Sequence, residues 1–204
     1  MIAIIDYGIG NLYSLCSSLK YIGQDAVITG DIKTIEKCEK LLLPGVGAFA
    51  DAARKLRADG LSGVIIHEAK KEKPLLGVCL GMQLLFEKSY EFGEHGGLGL
   101  LSGVVMPIKP RIPADYKIPH IGWNALRFPA GKNSPLLKYI SEGDHVYFVH
   151  SFHAEQCASD IIATTEYSAE LTAAVGRGNI FGTQFHPEKS GDIGLNILRA
   201  FAEL

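Results

Sequence analysis

Leu75-Leu76-Gly77-Val78-Cys79-Leu80-Gly81-Met82-Gln83 is the stretch from which the fold of this chain can be read. An apolar strand, Leu75–Val78, meets a small-x-Cys-x-small turn and passes into a helical pattern over residues 81–88. Gly77 and Gly81 matter sterically, because a tight strand-to-helix turn brings backbones too close for side chains. The same order repeats upstream. Residues 2–6 are a continuous apolar run, and Leu12, Leu15, Cys16 and Leu19 recur at helical spacing between Asn11 and Ile22 before Gly23. Two more short strands are predicted over residues 26–29 and 40–43, the second ending in Pro44-Gly45-Val46-Gly47, and helices over 48–59 and 61–72. Strands apolar on both faces and alternating with helices predict an α/β fold, a mostly parallel central sheet with helices on both faces.

Beyond residue 96 the texture changes to Gly- and Pro-rich turns between short strands. These are predicted over residues 103–108, 122–128, 145–152, 161–165, 171–176 and 179–184, adding antiparallel strands in the second half. An amphipathic helix over 191–203, with Ile193, Ile197, Leu198 and Phe201 on one face, closes the chain. No repeat, linker or low-complexity tract divides it, so a single domain over 1–204 is expected.

Composition narrows the function. With 47% hydrophobic and 21% charged residues the chain is neither disordered nor a disulfide scaffold, and 204 residues bury roughly 70% of the unfolded surface. A net charge of −2 advertises no nucleic-acid partner. Charges, Gly and Pro interrupt every apolar run before the roughly 18 residues a membrane helix needs. Residues 1–6 read as a strand and not as a signal peptide, so a cytoplasmic location with free thiols is expected. Cys16, Cys38, Cys79 and Cys157 form no C-x-x-C pair, and no metal or cofactor is expected. In Gly8-Ile9-Gly10, Tyr13 stands where a dinucleotide loop needs its third glycine.

The turn after the strand over 75–78 places Cys79 at a helix N-terminus, where free N–H groups favour thiolate. The Leu80 N–H would then point where an oxyanion forms. A buried, inert thiol in a Gly-containing loop fits the residue type as well. A cysteine nucleophile needs a base, and His186 in Gly182-Thr183-Gln184-Phe185-His186-Pro187-Glu188 ends a strand, with Glu188 two residues on and on the same side of an extended segment. Taken alone, that His-x-Glu also suits a surface loop. Val46 and Gly47 could supply a second oxyanion donor or merely turn the chain. His150 and His153, three apart in one strand, should face opposite ways, and His67 and His95 should lie at the surface or on helices.

Taken together and in order, Pro44–Gly47, Gly77–Gln83 and Gln184–Ser190 resemble the class I glutamine amidotransferases. Asp6–Asn11, Pro119–Asn124 and Val146–Ser151 extend the likeness almost end to end. They are similar to the glutaminase subunits of imidazole glycerol phosphate synthases, which work in histidine biosynthesis. The resemblance implies roles residue by residue. Cys79 attacks the glutamine side-chain amide, His186 moves the protons and Glu188 orients it. Backbone at Val46, Gly47 and Leu80 holds the oxyanion, while Gln83, Glu91 and the backbone of Ser151 and Phe152 bind the amino-acid end of glutamine. The implied partner is a (β/α)8-barrel cyclase subunit in a heterodimer, which receives the ammonia through protein, with Asn11, Trp123 and Lys189 near the interface. Without its partner such a subunit should rest with an incomplete oxyanion hole, a carbonyl of Pro44–Gly47 pointing into it.

Overall fold

The computed structural model describes residues 1–204. Its elements in chain order are β1 (Ile2–Ile5), α1 (Leu12–Tyr21), β2 (Ala26–Thr29), α2 (Ile32–Lys37), β3 (Lys40–Leu43), α3 (Phe49–Ala58), α4 (Leu61–Lys70), β4 (Leu75–Val78) and α5 (Leu80–Leu84). The second half holds β5 (Lys88–Ser89), β6 (His95–Gly96), β7 (Val104–Pro107), β8 (His120–Arg127), β9 (His145–His150), β10 (Phe152–Glu155), β11 (Ile161–Glu166), β12 (Glu170–Arg177), β13 (Ile180–Thr183) and α6 (Gly191–Ala202). No helix is long and apolar enough to cross a membrane.

Nine strands form one sheet in the order β2-β1-β3-β4-β13-β12-β11-β8-β9. The first five run parallel, and antiparallel strands extend the sheet from β13 onward. The parallel strands are apolar throughout because they serve two cores. Ala3, Ile5, Leu41 and Leu43 pack beneath α2, α3 and α4, while Ile2, Ile4, Leu42 and Leu76 face α1 and α6.

Two sequence expectations need correction, and one element was not expected at all. The run over 145–152 is two strands, because the chain leaves the large sheet at Ser151 and joins a second, four-stranded sheet, β10-β7-β5-β6. His150 and His153 therefore sit in different sheets. The helix after Cys79 stops at Leu84 instead of residue 88, because residues 98–101 return to it. Leu98 N–H donates to the Leu84 carbonyl, Leu100 and Leu101 N–H to Leu85, and Gly99 N–H to Phe86. Helix α2 was not anticipated, although Asp31 caps it by accepting from Thr34 N–H at 2.9 Å.

Candidate active site

Three adjacent parallel strands, β3, β4 and β13, end side by side and deliver three turns to one edge of the sheet. Pro44–Gly47 follows β3, Cys79 follows β4, and His186 lies three residues past β13. Ligands of open α/β sheets bind outside such carboxyl ends. A cleft of about 690 Å³ opens here, lined by Val46, Gly47, Cys79, Leu80, Gln83, Glu91, Ser151, Phe152, His186 and Lys189 among others. Of the four thiols only Cys79 lines it.

The elbow is built by steric exclusion. Cys79 adopts φ +56° and ψ −112°, a conformation unusual for a side-chain-bearing residue, and its N–H donates to the Thr183 carbonyl of the neighbouring strand at 2.7 Å. A Cβ on Gly81 would lie 1.8 Å from the Leu43 carbonyl oxygen, and one on Gly77 would lie 2.6 Å from that of Gly81. The turn after β3 packs as tightly, since a Cβ on Gly45 would meet the Gly81 nitrogen and the Tyr7 hydroxyl at 2.8 Å. Tyr7 donates to the Pro44 carbonyl at 2.8 Å, and burial, followed by the charge of Cys79, pushes its phenol up. The N–H groups of Val46, Gly47 and Leu80 donate to no other group of the protein.

The opposite wall is held by side chains. His186 N–H donates to the Tyr147 carbonyl at 3.0 Å, Tyr147 N–H to Ser190 Oγ at 3.0 Å, and Ser190 Oγ–H back to the His186 carbonyl at 2.6 Å. This ring ties the turn after β13 to β9. Residues Pro187–Lys189 are a 3-10 turn and not the extended segment expected, yet His186 Nδ1 still meets Glu188 Oε1 at 2.8 Å. The Glu188 side chain is fully buried and also accepts from Asn11 Nδ2 at 3.3 Å. Burial alone would lower the His186 pKa, but the Cys79 sulfur and the Glu188 carboxylate outweigh it and raise it to about 9. An imidazolium is thus held beside the sulfur at neutral pH, a donor set suited to nucleophilic acyl chemistry.

The remaining expected residues divide. Gln83 turns its amide to the Phe152 carbonyl at 3.1 Å and to Gln184 Oε1 at 2.9 Å. Glu91 reaches the cleft, but its Oε2 accepts from Phe49 N–H at 2.5 Å and so caps α3 from outside. Lys189 Nζ lies over the Tyr147 ring, 5.8 Å from its centroid, and that ring meets Trp123 in a T-shaped contact with centroids 6.2 Å apart. Trp123 is half exposed and outside the cleft, and Asn11 lies behind Glu188. Sequence reasoning missed Gln184, fully buried with its Nε2 3.8 Å from Cys79 Sγ. Its place two residues before His186 on an extended segment was the available signal.

A doubly wound sheet carrying a cysteine elbow and a His–Glu pair at its carboxyl edge defines a class, and comparison with known proteins gives the same one. The class-I glutamine amidotransferase profile matches residues 3–203, and the chain belongs to that family. It is 49% identical over 206 residues to imidazole glycerol phosphate synthase subunit HisH of Wolinella succinogenes, covering all of both chains. It is 51% identical over 205 residues to the protein of the same name from Caldanaerobacter subterraneus subsp. tengcongensis, covering 100% of this chain and 98% of that one. Among solved structures, a glutamine amidotransferase superposes with TM-score 0.76 at 18% identity over all of both chains. PurLQS from Thermotoga maritima gives 0.75 at 18% identity, over 99% of this chain and 97% of its own. At such identity these two speak for the fold alone.

Proposed function

We propose that this chain is the glutaminase subunit of an imidazole glycerol phosphate synthase, acting in the cytoplasm as one domain. Cys79 Sγ attacks the side-chain amide carbon of glutamine, and the carbonyl oxygen becomes an oxyanion received by the backbone N–H groups at Val46, Gly47 and Leu80. The C–N bond breaks as the His186 imidazolium passes its proton to the departing nitrogen. This releases ammonia and leaves a γ-glutamyl thioester on Cys79. His186, now neutral, draws a proton from water, whose oxygen attacks the thioester and yields glutamate. Glu188 keeps the imidazole oriented through Nδ1 throughout. Gln83, Glu91, Ser151 and Phe152 hold the amino-acid end of the substrate. Ammonia exposed to water becomes ammonium, which is not nucleophilic, so it passes through protein to a (β/α)8-barrel cyclase subunit docked near Asn11, Trp123 and Lys189.

The observation that carries this reading is the meeting of Cys79, His186 and the Val46–Gly47 and Leu80 backbone on one cleft at the ends of β3, β4 and β13. Glutamate release is to be measured for the chain alone, with a cyclase subunit, and with the ribonucleotide ligand of that cyclase. Near silence alone and strong turnover in the last condition are expected, because a resting hole that lacks a donor prevents wasted glutamine. Equal turnover in all three points instead to a partner-independent γ-glutamyl hydrolase. Cys79→Ala should abolish glutamine-driven synthesis and spare ammonia-driven synthesis. Survival of the former would mean that the chain only stabilises its cyclase.

A further inference from the structure

The Phe152 carbonyl accepts from Gln83 Nε2 at 3.1 Å and lies 2.8 Å from His150 Nδ1. A carbonyl oxygen can only accept, so His150 Nδ1 carries hydrogen. Burial keeps the ring neutral, its pKa pushed down to about 3, so Nε2 is a lone pair. That nitrogen faces His120 Nδ1 at 3.0 Å, which must therefore donate. His120 is itself neutral through burial, its pKa down to about 4, so its Nε2 accepts. Asn124 Nδ2, 3.1 Å away, has two hydrogens and gives the other to the Glu166 carbonyl at 2.9 Å. Donation thus runs in one sense from Asn124 through two imidazoles to Phe152. On the far side of the same carbonyl, Gln83 gives its second hydrogen to Gln184 Oε1, leaving Gln184 Nε2 to point at Cys79 Sγ.

We propose that His120 and His150 are positioning residues of the glutamine pocket: their fixed tautomers hold the Phe152 carbonyl, and through it the Gln83 and Gln184 amides, in the arrangement that receives glutamine beside Cys79. The inference rests on the amidotransferase reading above. The need for such a device lies in the backbone. Phe152 starts a strand directly after the break at Ser151, where the chain passes from one sheet to the other. Without the His120 N–H, the His150 ring is free to move its proton to Nε2 and turn a lone pair on the carbonyl it now holds. His120 is aimed in turn by stacking on Tyr167 at 4.2 Å and Phe148 at 5.0 Å between centroids.

Nitrogen-resolved NMR of the wild-type chain at neutral pH should find both imidazoles neutral with the proton on Nδ1. A proton on Nε2 of His150, or a cationic ring at either position, overturns the proposal. The kinetic arm uses His120→Phe, which keeps an aromatic ring against Tyr167 and Phe148, one atom larger, and removes both ring nitrogens. In complex with a cyclase subunit, its glutamine KM should rise about tenfold with kcat changed by less than roughly threefold. Ammonia-driven synthesis should be unaltered. His150→Asn, whose amide nitrogen can stand in for Nδ1, should recover part of the KM lost in His150→Leu. A folded His120→Phe complex with unchanged KM overturns the proposal. A wild-type complex silent toward glutamine defeats the amidotransferase reading instead, and the two failures are separable because the tautomers are read without turnover.

Discussion

The two walls of the cleft are made by different physics. On the Cys79 wall, backbone touches backbone, and the structure is enforced by what cannot fit: no Cβ at Gly77, Gly81 or Gly45. On the His186 wall, position comes from polar side chains that must each find a partner, the ring through Ser190 and the relay through His120 and His150. Steric exclusion is all-or-none and indifferent to pH. Hydrogen-bonded position is graded and titrates. The contrast explains how a rigid nucleophile can share a cleft with groups whose alignment responds to protonation.

The contrast can be tested from its largest expected effect downward. Gly81→Ala should cost ~4 kcal/mol or more, because backbone and not a flexible side chain stands 1.8 Å from the new carbon. Urea unfolding of that variant checks it, and a soluble protein of near wild-type midpoint would show that the elbow can relax. Next comes acid. The depressed pKa values of His120 and His150 mean that the unfolded chain binds protons before the folded one does. Their contribution is present above about pH 6.5 and is lost as pH falls toward about 4 and 3, with ~3 kcal/mol at stake for His120. The groups facing the pair are Asn124, Phe148 and Tyr167 on one side and His153, His186 and the Phe152 carbonyl on the other. Unfolding midpoints between pH 7 and 4.5 should therefore fall less steeply in His120→Phe than in wild type.

On the alkaline side the sign reverses. His186 is raised in the folded state, so its contribution is complete below about pH 6.5 and disappears as pH rises through about 9, ~2 kcal/mol with the desolvation of a buried pair allowed for. Glu188→Gln removes one of the two groups that raise His186 and should flatten that alkaline loss. An unchanged slope would leave the Cys79 sulfur as the sole cause. The smallest effect is expected at Gly47, which has φ +88° but open space around it. Gly47→Ala should cost only ~1 kcal/mol in the same urea assay, through backbone conformation alone.

The contrast also explains what could be read without coordinates. Glycines bracketing a cysteine after an apolar run are a local signal, and β1 to β4 with their turns were legible within a residue or two. A parallel sheet then followed, whereas the pairing of Cys79 with His186 rested on the resemblance of the three motifs taken together. The side-chain wall was not legible. His120 and His150 are thirty residues apart and meet only because β8 and β9 pair in one register, His120 opposite His150. The break at Ser151 carries no Pro or Gly, and the two-residue strands β5 and β6 are too short to show a period. Tyr7 was hidden for a plainer reason: an isolated polar residue just past a strand says nothing of what it touches until its neighbours are known.

Strand β8 carries its cargo on both sides. Ile121 and Trp123 are 58% and 52% exposed, while His120 is buried and reaches His150. Alternation ties the two sides to one reading frame: a slip of a single residue would send the indole inward and the imidazole into water. Exchanging the side chain at 121 therefore leaves the buried side of β8 untouched, and exchanging Trp123 bears on the outer surface alone. An inserted or deleted residue between Pro119 and Asn124 is another matter, because the same edit would break the His120–His150 pairing and so disturb the lining of the cleft.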